Sequence, residues 1–170
     1  GVIGGAFGPS RTSIDNLYLV EQTAKGQFVT RTSRLIPTID VGSESSPSLV
    51  DVDGDGDFDL LIANKISAGN SDAGTITWFE NVGSTRAPAF RDRGTLALAT
   101  EFHPAPAMAD LDGDGVPDLV VGTWRDKVKW FRNSGSRQQP QWTLADSALV
   151  TLTRGSNAVP TFGDLDGDGL

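Results

Sequence analysis

The chain repeats one short template, and this repetition constrains the fold more than any other feature of the sequence. PSLVDVDGDGDFDLLIAN begins at Pro47, PAMADLDGDGVPDLVVGT begins at Pro106, and the partial copy PTFGDLDGDGL begins at Pro160. The first aspartates of the three copies are separated by 59 and then 54 residues. Repeats of this length are supersecondary units that stack on their neighbours, because none can bury its apolar face alone. The chain is therefore expected to fold as a row of similar units.

A second repeated element follows each complete copy of the template. ITWFENVGSTRAPAF begins at Ile76 and VKWFRNSGSRQQPQW at Val128, 52 residues later and without a gap. Alternating or continuous apolar runs bounded by Gly and Pro are typical of short strands. Such runs predict a strand A before each Asp-rich loop, a strand B after it, a strand C with the Trp-Phe pair and a strand D near Phe90 or Trp142. The runs assigned to strands B and C are 60–63, 119–121, 76–80 and 128–132.

Four short antiparallel strands in each repeat predict an all-β fold, a β-propeller of four-stranded antiparallel blades. The expected units are a partial blade with strands B to D, two blades with complete Asp loops, and the start of a further blade; they cover 1–45, 46–104, 105–157 and 158–170. About three blades are fewer than the roughly four to eight that close a propeller. We therefore expect an arc of a larger ring, in which Gly1 directly follows a missing Asp loop and Leu170 interrupts the third one.

Composition narrows the class of protein further. Hydrophobic residues make up 38% of the 170 residues and charged residues 21%, proportions typical of a globular chain. No apolar run is long enough to span a membrane. With no cysteine, disulfides and sulfur-ligated metals are excluded. The net charge of -8 argues against nucleic acid as a partner, although twelve of the 22 acidic residues lie in the three Asp loops and the remainder holds 10 acidic against 14 basic residues.

The carboxylates of each Asp loop have the spacing of a cation site. They occupy positions 1, 3, 5 and 9 of a nine-residue stretch, and glycines at positions 4 and 6 allow the tight turn that would bring them together. A backbone carbonyl at position 7 would complete an all-oxygen shell of about six to eight ligands, which favours Ca²⁺ over Mg²⁺. The predicted metal ligands are Asp51, Asp53, Asp55, Asp57, Asp59, Asp110, Asp112, Asp114, Val116, Asp118, Asp164, Asp166 and Asp168.

Two other interpretations of the loops fit the sequence less well. A simple Asp-Gly turn is disfavoured because four unneutralised carboxylates within nine residues repel one another. An EF-hand requires an acid at position 12 and helical flanks, whereas position 12 is Ile62 in the first loop and Val121 in the second, within β-type sequence. We expect two strong calcium sites and a weak third one. The ion is expected to be a structural staple, with calcium sensing as the alternative.

The quoted motifs resemble the FG-GAP-like, or VCBS-type, repeat family, which includes the propellers of integrin alpha chains. The resemblance rests on DVDGDGDFDLLIA, DLDGDGVPDLVVG, WFENVGSTRAPAF and WFRNSGSRQQPQW, and it spans nearly the whole chain. It implies a propeller with Ca²⁺ in the loops between strands A and B, and a partner on the opposite face. The literal Gly-Ala-Pro is missing after both complete loops, so the bacterial VCBS-type branch is expected to be closer than the integrins, and an integrin-like ligand is not implied.

Few other residues are candidates for chemistry. Trp124 has no aromatic counterpart in the other repeats and precedes Arg125, so the two could bind a sugar or an anion, although solvated basic side chains on a strand are the simpler account. His103 is the single histidine, and nothing beside it resembles a nucleophile elbow. Paired acids could also hydrolyse glycosides, but acids that recur in each repeat are not a unique constellation. The other repeated tryptophans are expected to pack between sheets.

The sequence thus predicts a non-catalytic, calcium-binding propeller module used for binding or adhesion outside the cell. Its expected partner is a protein or a carbohydrate on the face opposite the Asp loops, together with the remaining blades of a parent chain. The expected location is secreted or cell-surface, with the periplasm as a variant. The alternatives are the propeller portion of a secreted polysaccharide-degrading enzyme and a purely structural scaffold.

Overall fold

A computed structural model describes residues 2–4, 17–32, 41, 44–66, 73–98 and 100–163. These residues contain eleven β-strands and no helix, and therefore no helix long and apolar enough to cross a membrane. The strands are β1 Val2–Gly4, β2 Leu17–Ala24, β3 Gln27–Thr32, β4 Ser46–Val50, β5 Asp59–Ala63, β6 Ile76–Asn81, β7 Phe90–Thr95, β8 Ala105–Ala109, β9 Asp118–Gly122, β10 Lys127–Asn133 and β11 Trp142–Thr151.

The strands form three antiparallel sheets in which chain neighbours are also neighbours in space. The first sheet has the order β1-β2-β3, the second β4-β5-β6-β7, and the third β8-β9-β10-β11. The two four-stranded meanders have the architecture of propeller blades. The predicted all-β fold of four-stranded antiparallel units is confirmed.

The two complete sheets share one register, which fixes where the repeated residues lie. Leu60 pairs with Phe79 in the second sheet, and Leu119 pairs with Phe131 in the third. The pair at which strand A ends and strand B begins is also equivalent in the two sheets: Val50 with Asp59 and Ala109 with Asp118. Each Asp loop therefore joins the same ends of the same two strands.

Strand β5 is buried on both faces. Leu61 and Ala63 project from one face into an apolar cluster that also contains Leu119 and Phe131 of the third sheet. Leu60 and Ile62 project from the other face into a second cluster, which Phe79 also joins. This alternation follows from the period of two in a β-strand. The first cluster is built by both complete sheets, so the core lies between them as expected for stacked blades.

A buried asparagine closes the turn between strands C and D in each complete sheet. Oδ1 of Asn81 accepts hydrogen bonds from the backbone N–H groups of Gly83 (3.1 Å) and Ala89 (2.9 Å). Oδ1 of Asn133 accepts the equivalent bonds from Gly135 (3.0 Å) and Gln141 (2.9 Å). Because buried backbone donors need partners, this asparagine accounts for the repeated WFxN sequence at the end of strand C.

Candidate metal centre

The two complete Asp loops are tight turns, and the aspartate at position 1 organises each of them. In the first loop Asp51 accepts hydrogen bonds from the N–H groups of Gly54 (Oδ1, 2.6 Å) and Gly56 (Oδ2, 3.2 Å). In the second loop Asp110 accepts the matching pair, from positions 4 and 6, at 2.8 Å each. Gly54 has φ 77°, in the left-handed region where a side chain is strained. The glycines at these positions are thus required by the turn.

Each turn brings three carboxylates together, as the sequence predicts. Ligand atoms of Asp51, Asp53 and Asp55 lie within 4.8 Å of one another, and so do those of the equivalent residues of the second loop. The equivalent residues are Asp110, Asp112 and Asp114. All three members of the second group are exposed, whereas Asp51 and Asp53 are half-buried. Positions 1, 3 and 5 therefore form a cluster of oxygen ligands at the same end of each complete sheet.

The aspartate at position 9 is also predicted as a metal ligand, and in the structure its carboxylate is engaged by backbone N–H groups. Asp59 is 1% exposed, and its two carboxylate oxygens accept hydrogen bonds from the backbone N–H groups of Val52 (3.1 Å) and Asn81 (2.7 Å). Burial raises the pKa of Asp59 to about 6, although both hydrogen bonds favour the ionised form. Asp59 ties the start of the loop to the end of strand β6.

Asp118 is the equivalent residue in the third sheet and makes one more contact. It is 0% exposed and accepts hydrogen bonds from the backbone N–H groups of Asn133 (2.8 Å) and Leu111 (3.4 Å), and from Trp130 Nε1 (2.9 Å). The corresponding indole N–H of Trp78 is buried with no hydrogen-bond partner among the described residues. We refer to Asp59 and Asp118 as the latch carboxylates.

Position 7 differs between the two loops. In the first loop it is Asp57, whose Oδ1 is buried with no hydrogen-bond partner in the described part of the chain. In the second loop it is Val116, which has no side-chain oxygen. The backbone N–H of each donates to position 5, at 2.9 Å in the first loop and 2.8 Å in the second. The first loop therefore carries one more carboxylate close to its cluster.

Burial and mutual repulsion make the first cluster unfavourable for negative charge. The pKa of Asp53 is raised, chiefly because the carboxyl is partly desolvated and then because Asp55 carries a charge of the same sign. Glu80, on strand β6, adds to this repulsion. A bound divalent cation would relieve it, and an all-carboxylate donor set is the kind that Ca²⁺ prefers. The first loop fits such an ion.

Two arginines beside the loops were not predicted as part of the site. Arg132, on strand β10, forms ion pairs with Asp112 and Asp114 in the second loop. Arg137 donates from Nε (3.0 Å) and Nη2 (2.6 Å) to the carbonyl of Gly115, and its side chain packs against Gly54 of the first loop. Arg137 therefore lies between the two loops. One feature of the sequence could have pointed to Arg132: it aligns with Glu80 in the WFEN and WFRN copies, so the charge is reversed at this repeated position.

The remaining predicted residues lie elsewhere. Trp124 is 41% exposed and sits after strand β9, at the opposite end from the Asp loop; its ring makes an edge contact with Phe102 at 5.4 Å between centroids. His103 lies 6.0 Å from the same indole and 3.5 Å from the carboxylate of Glu44. Arg125 is exposed beside Trp124. The third loop, with Asp164, Asp166 and Asp168, lies outside the described residues.

Comparisons with known proteins point to the same repeat. Residues 110–170 match the sequence model of the family described as FG-GAP-like repeat. A segment is 32% identical over 88 residues to integrin alpha-4 of Xenopus laevis, covering 46% of this chain and 8% of the length of that protein. No solved structure gives a significant match. The bacterial VCBS-type branch stays a prediction. Residues 110–170 thus resemble an FG-GAP-like repeat, and an earlier copy of the same motifs begins at Pro47.

Proposed function

We propose that the chain is a non-catalytic, calcium-binding propeller module that presents a binding surface outside the cell. The observation that carries the proposal is the pair of carboxylate clusters, each with ligand atoms within 4.8 Å, at equivalent places in two successive sheets. A group that recurs with the fold is more simply explained by support of the fold than by a reaction, because catalysis uses one constellation of unlike groups.

The residues that would hold the ion are those of positions 1, 3 and 5. Asp57 adds to the first loop a buried oxygen that has no hydrogen-bond partner among the described residues. The bound ion would supply positive charge that cancels the repulsion among the carboxylates and crosslinks the turn. Meanwhile the latch carboxylate Asp59 joins the loop to strand β6 through the N–H of Asn81. The chain thus provides a turn that is held by its own hydrogen bonds and that brings the three carboxylates close together.

Calorimetric titration of chelator-treated protein with Ca²⁺ tests the proposal. We expect binding that persists in excess Mg²⁺, since Mg²⁺ prefers a smaller octahedron and keeps several waters. The double variant Asp53→Asn with Asp112→Asn is expected to retain the fold and to lose the binding. A flat titration of the natural chain at millimolar Ca²⁺, or unchanged binding by the double variant, contradicts the proposal.

Thermal unfolding gives a second readout of the same sites. A ligand that binds only the folded state adds RT ln(1 + [L]/Kd), or about 2.7 kcal/mol at a hundredfold excess over Kd. Chelation is therefore expected to lower the melting temperature of the natural chain but not of the double variant. An equal melting temperature with and without Ca²⁺, while calorimetry detects binding, would favour a calcium sensor over a structural staple.

We further propose that the partner, a protein or a carbohydrate, binds at the end of the sheets opposite the Asp loops. The exposed indole of Trp124 and the exposed Arg125 support this placement, because aromatic and arginine side chains are common anchors of binding surfaces. Panels of immobilised glycans and extracellular proteins would be probed with the natural chain and with Trp124→Ala. A partner retained equally by both proteins would lie on another surface.

A further inference from the structure

The two complete Asp loops differ in charge at one aligned residue. Asn81 and Asn133 donate their backbone N–H groups to the latch carboxylates at 2.7 and 2.8 Å, so they occupy equivalent places in the two sheets. The residue before each of them is Glu80 in the second sheet and Arg132 in the third. The same position next to the loop is therefore acidic in one unit and basic in the next.

Arg132 occupies the carboxylate cluster of the second loop. Its Nε lies 2.5 Å from Oδ2 of Asp112, and its Nη2 lies 3.3 Å from Oδ2 of Asp114. These are two of the three carboxylates that would ligate an ion in this loop. A guanidinium and a divalent cation that contact the same carboxylate oxygens repel each other at short range, so the two compete for these oxygens.

Glu80, the residue that aligns with Arg132, brings a negative charge to the first loop in place of a positive one. Its carboxylate accepts two hydrogen bonds from Arg93 of strand β7, one from Nε to Oε2 at 2.8 Å and one from Nη2 to Oε1 at 2.7 Å. The guanidinium of Arg93 is therefore engaged by Glu80. Among the described residues, no arginine or lysine forms an ion pair with Asp51, Asp53 or Asp55 of the kind that Arg132 forms in the second loop. Its carboxylates remain available to an external ion.

We propose that Arg132 is a built-in competitor of calcium, so that the first loop binds Ca²⁺ more tightly than the second, where the ion must displace the guanidinium. This inference rests on the calcium binding proposed above. The negative charge of the two loops would then be neutralised in different ways: the first loop depends on an external cation, and the second is neutralised in part by the chain itself. The side chain of Arg132 is 52% exposed, so it can swing into water when the ion binds.

Two single-site proteins separate the loops for calorimetry. Asp112→Asn leaves the first loop to be titrated, and Asp53→Asn leaves the second. We expect the Kd for Ca²⁺ to be about tenfold lower at the first loop, a difference of about 1.4 kcal/mol. In the Asp53→Asn protein, Arg132→Gln is expected to lower the Kd of the second loop about tenfold. Arg154→Gln, an exposed residue near the far end of the same sheet, makes the same charge change and is expected to shift the Kd less than twofold.

The outcomes distinguish this inference from the function on which it rests. Binding at both loops with equal Kd, or a Kd of the second loop that Arg132→Gln leaves unchanged or raises, overturns the role of Arg132 and leaves calcium binding intact. An equal effect of Arg132→Gln and Arg154→Gln also overturns it, because the effect would then come from net charge. Absence of binding at both loops overturns both proposals. Far-ultraviolet circular dichroism of each variant in chelator confirms that the sheets remain folded.

Discussion

Replacement of the latch carboxylate Asp118 by alanine should destabilise the fold even when no calcium is present. Asp118 is 0% exposed and accepts its two shortest hydrogen bonds from the N–H of Asn133 (2.8 Å) and Nε1 of Trp130 (2.9 Å). Each buried donor left without a partner costs about 1 to 3 kcal/mol. The two donors together therefore give about 2 to 6 kcal/mol, and entry of water into the vacated space favours the lower half of that range, about 3 kcal/mol.

Urea unfolding in chelator, followed by tryptophan fluorescence and by circular dichroism, measures this loss. The matched control is Asp114→Ala, in the same loop but exposed; it is expected to cost less than about 1 kcal/mol, as substitutions on the surface usually do. The reasoning is refuted if Asp118→Ala costs less than about 1 kcal/mol in chelator. A loss that emerges only in Ca²⁺ buffer would instead assign Asp118 mainly to metal ligation, as the spacing of the sequence predicts.

Three further outcomes are expected. Trp130→Phe should cost about 1 kcal/mol more than Trp78→Phe in urea unfolding, because the indole N–H of Trp130 donates to a latch carboxylate, whereas that of Trp78 has no hydrogen-bond partner within the described part of the chain; equal costs would contradict this. Gly54→Ala should destabilise the fold by at least about 1 kcal/mol because φ is 77° at this position, and the new Cβ would add a further cost because it would lie 2.6 Å from Cδ of Arg137. In an Arg137→Ala background the further cost should disappear. Thermal melting that shows no such rescue would argue against the contact. The pKa of Glu44 is lowered from its usual value of 4.5, chiefly by its hydrogen bond to a lysine. The ionised carboxylate therefore stabilises the fold above pH 4.5, and this stabilisation is lost as the pH falls through the lowered pKa. The difference in melting temperature between the natural chain and Glu44→Gln should shrink on acidification and should not grow.

Much of this architecture could be predicted because the repeat supplies the same local pattern twice. Strand B is a continuous apolar run in both copies, and the structure places it at the centre of each sheet, as Asp59–Ala63 and Asp118–Gly122. Gly54 and its counterparts could be assigned to the turn from spacing alone, since few other residues adopt a positive φ. The clustering of the carboxylates at positions 1, 3 and 5 follows from that same turn.

The roles of the latch carboxylates and of Arg132 could not be predicted from local spacing. The partner of Asp59 lies 22 residues away at the end of the next strand, at the N–H of Asn81, and only the register of the sheet brings the two together. Spacing within the loop predicts Asp59 as a metal ligand, but it gives no sign of these backbone hydrogen bonds. Similarly, the alternation of strand β10 shows that Arg132 faces away from Phe131 but does not identify the carboxylates within its reach.

The apolar cluster shared by the two complete sheets also affects how such a chain can change during evolution. Leu61 and Ala63 on β5 pack in the same cluster as Leu119 and Phe131, which lie more than fifty positions further along the sequence. A duplication or exchange of one repeat must therefore supply a face that fits the neighbour it meets. Substitutions in the Asp loops can be inherited with a single repeat, whereas substitutions on these facing strands are selected in pairs. We expect the two facing surfaces to covary across the repeat boundary in related chains.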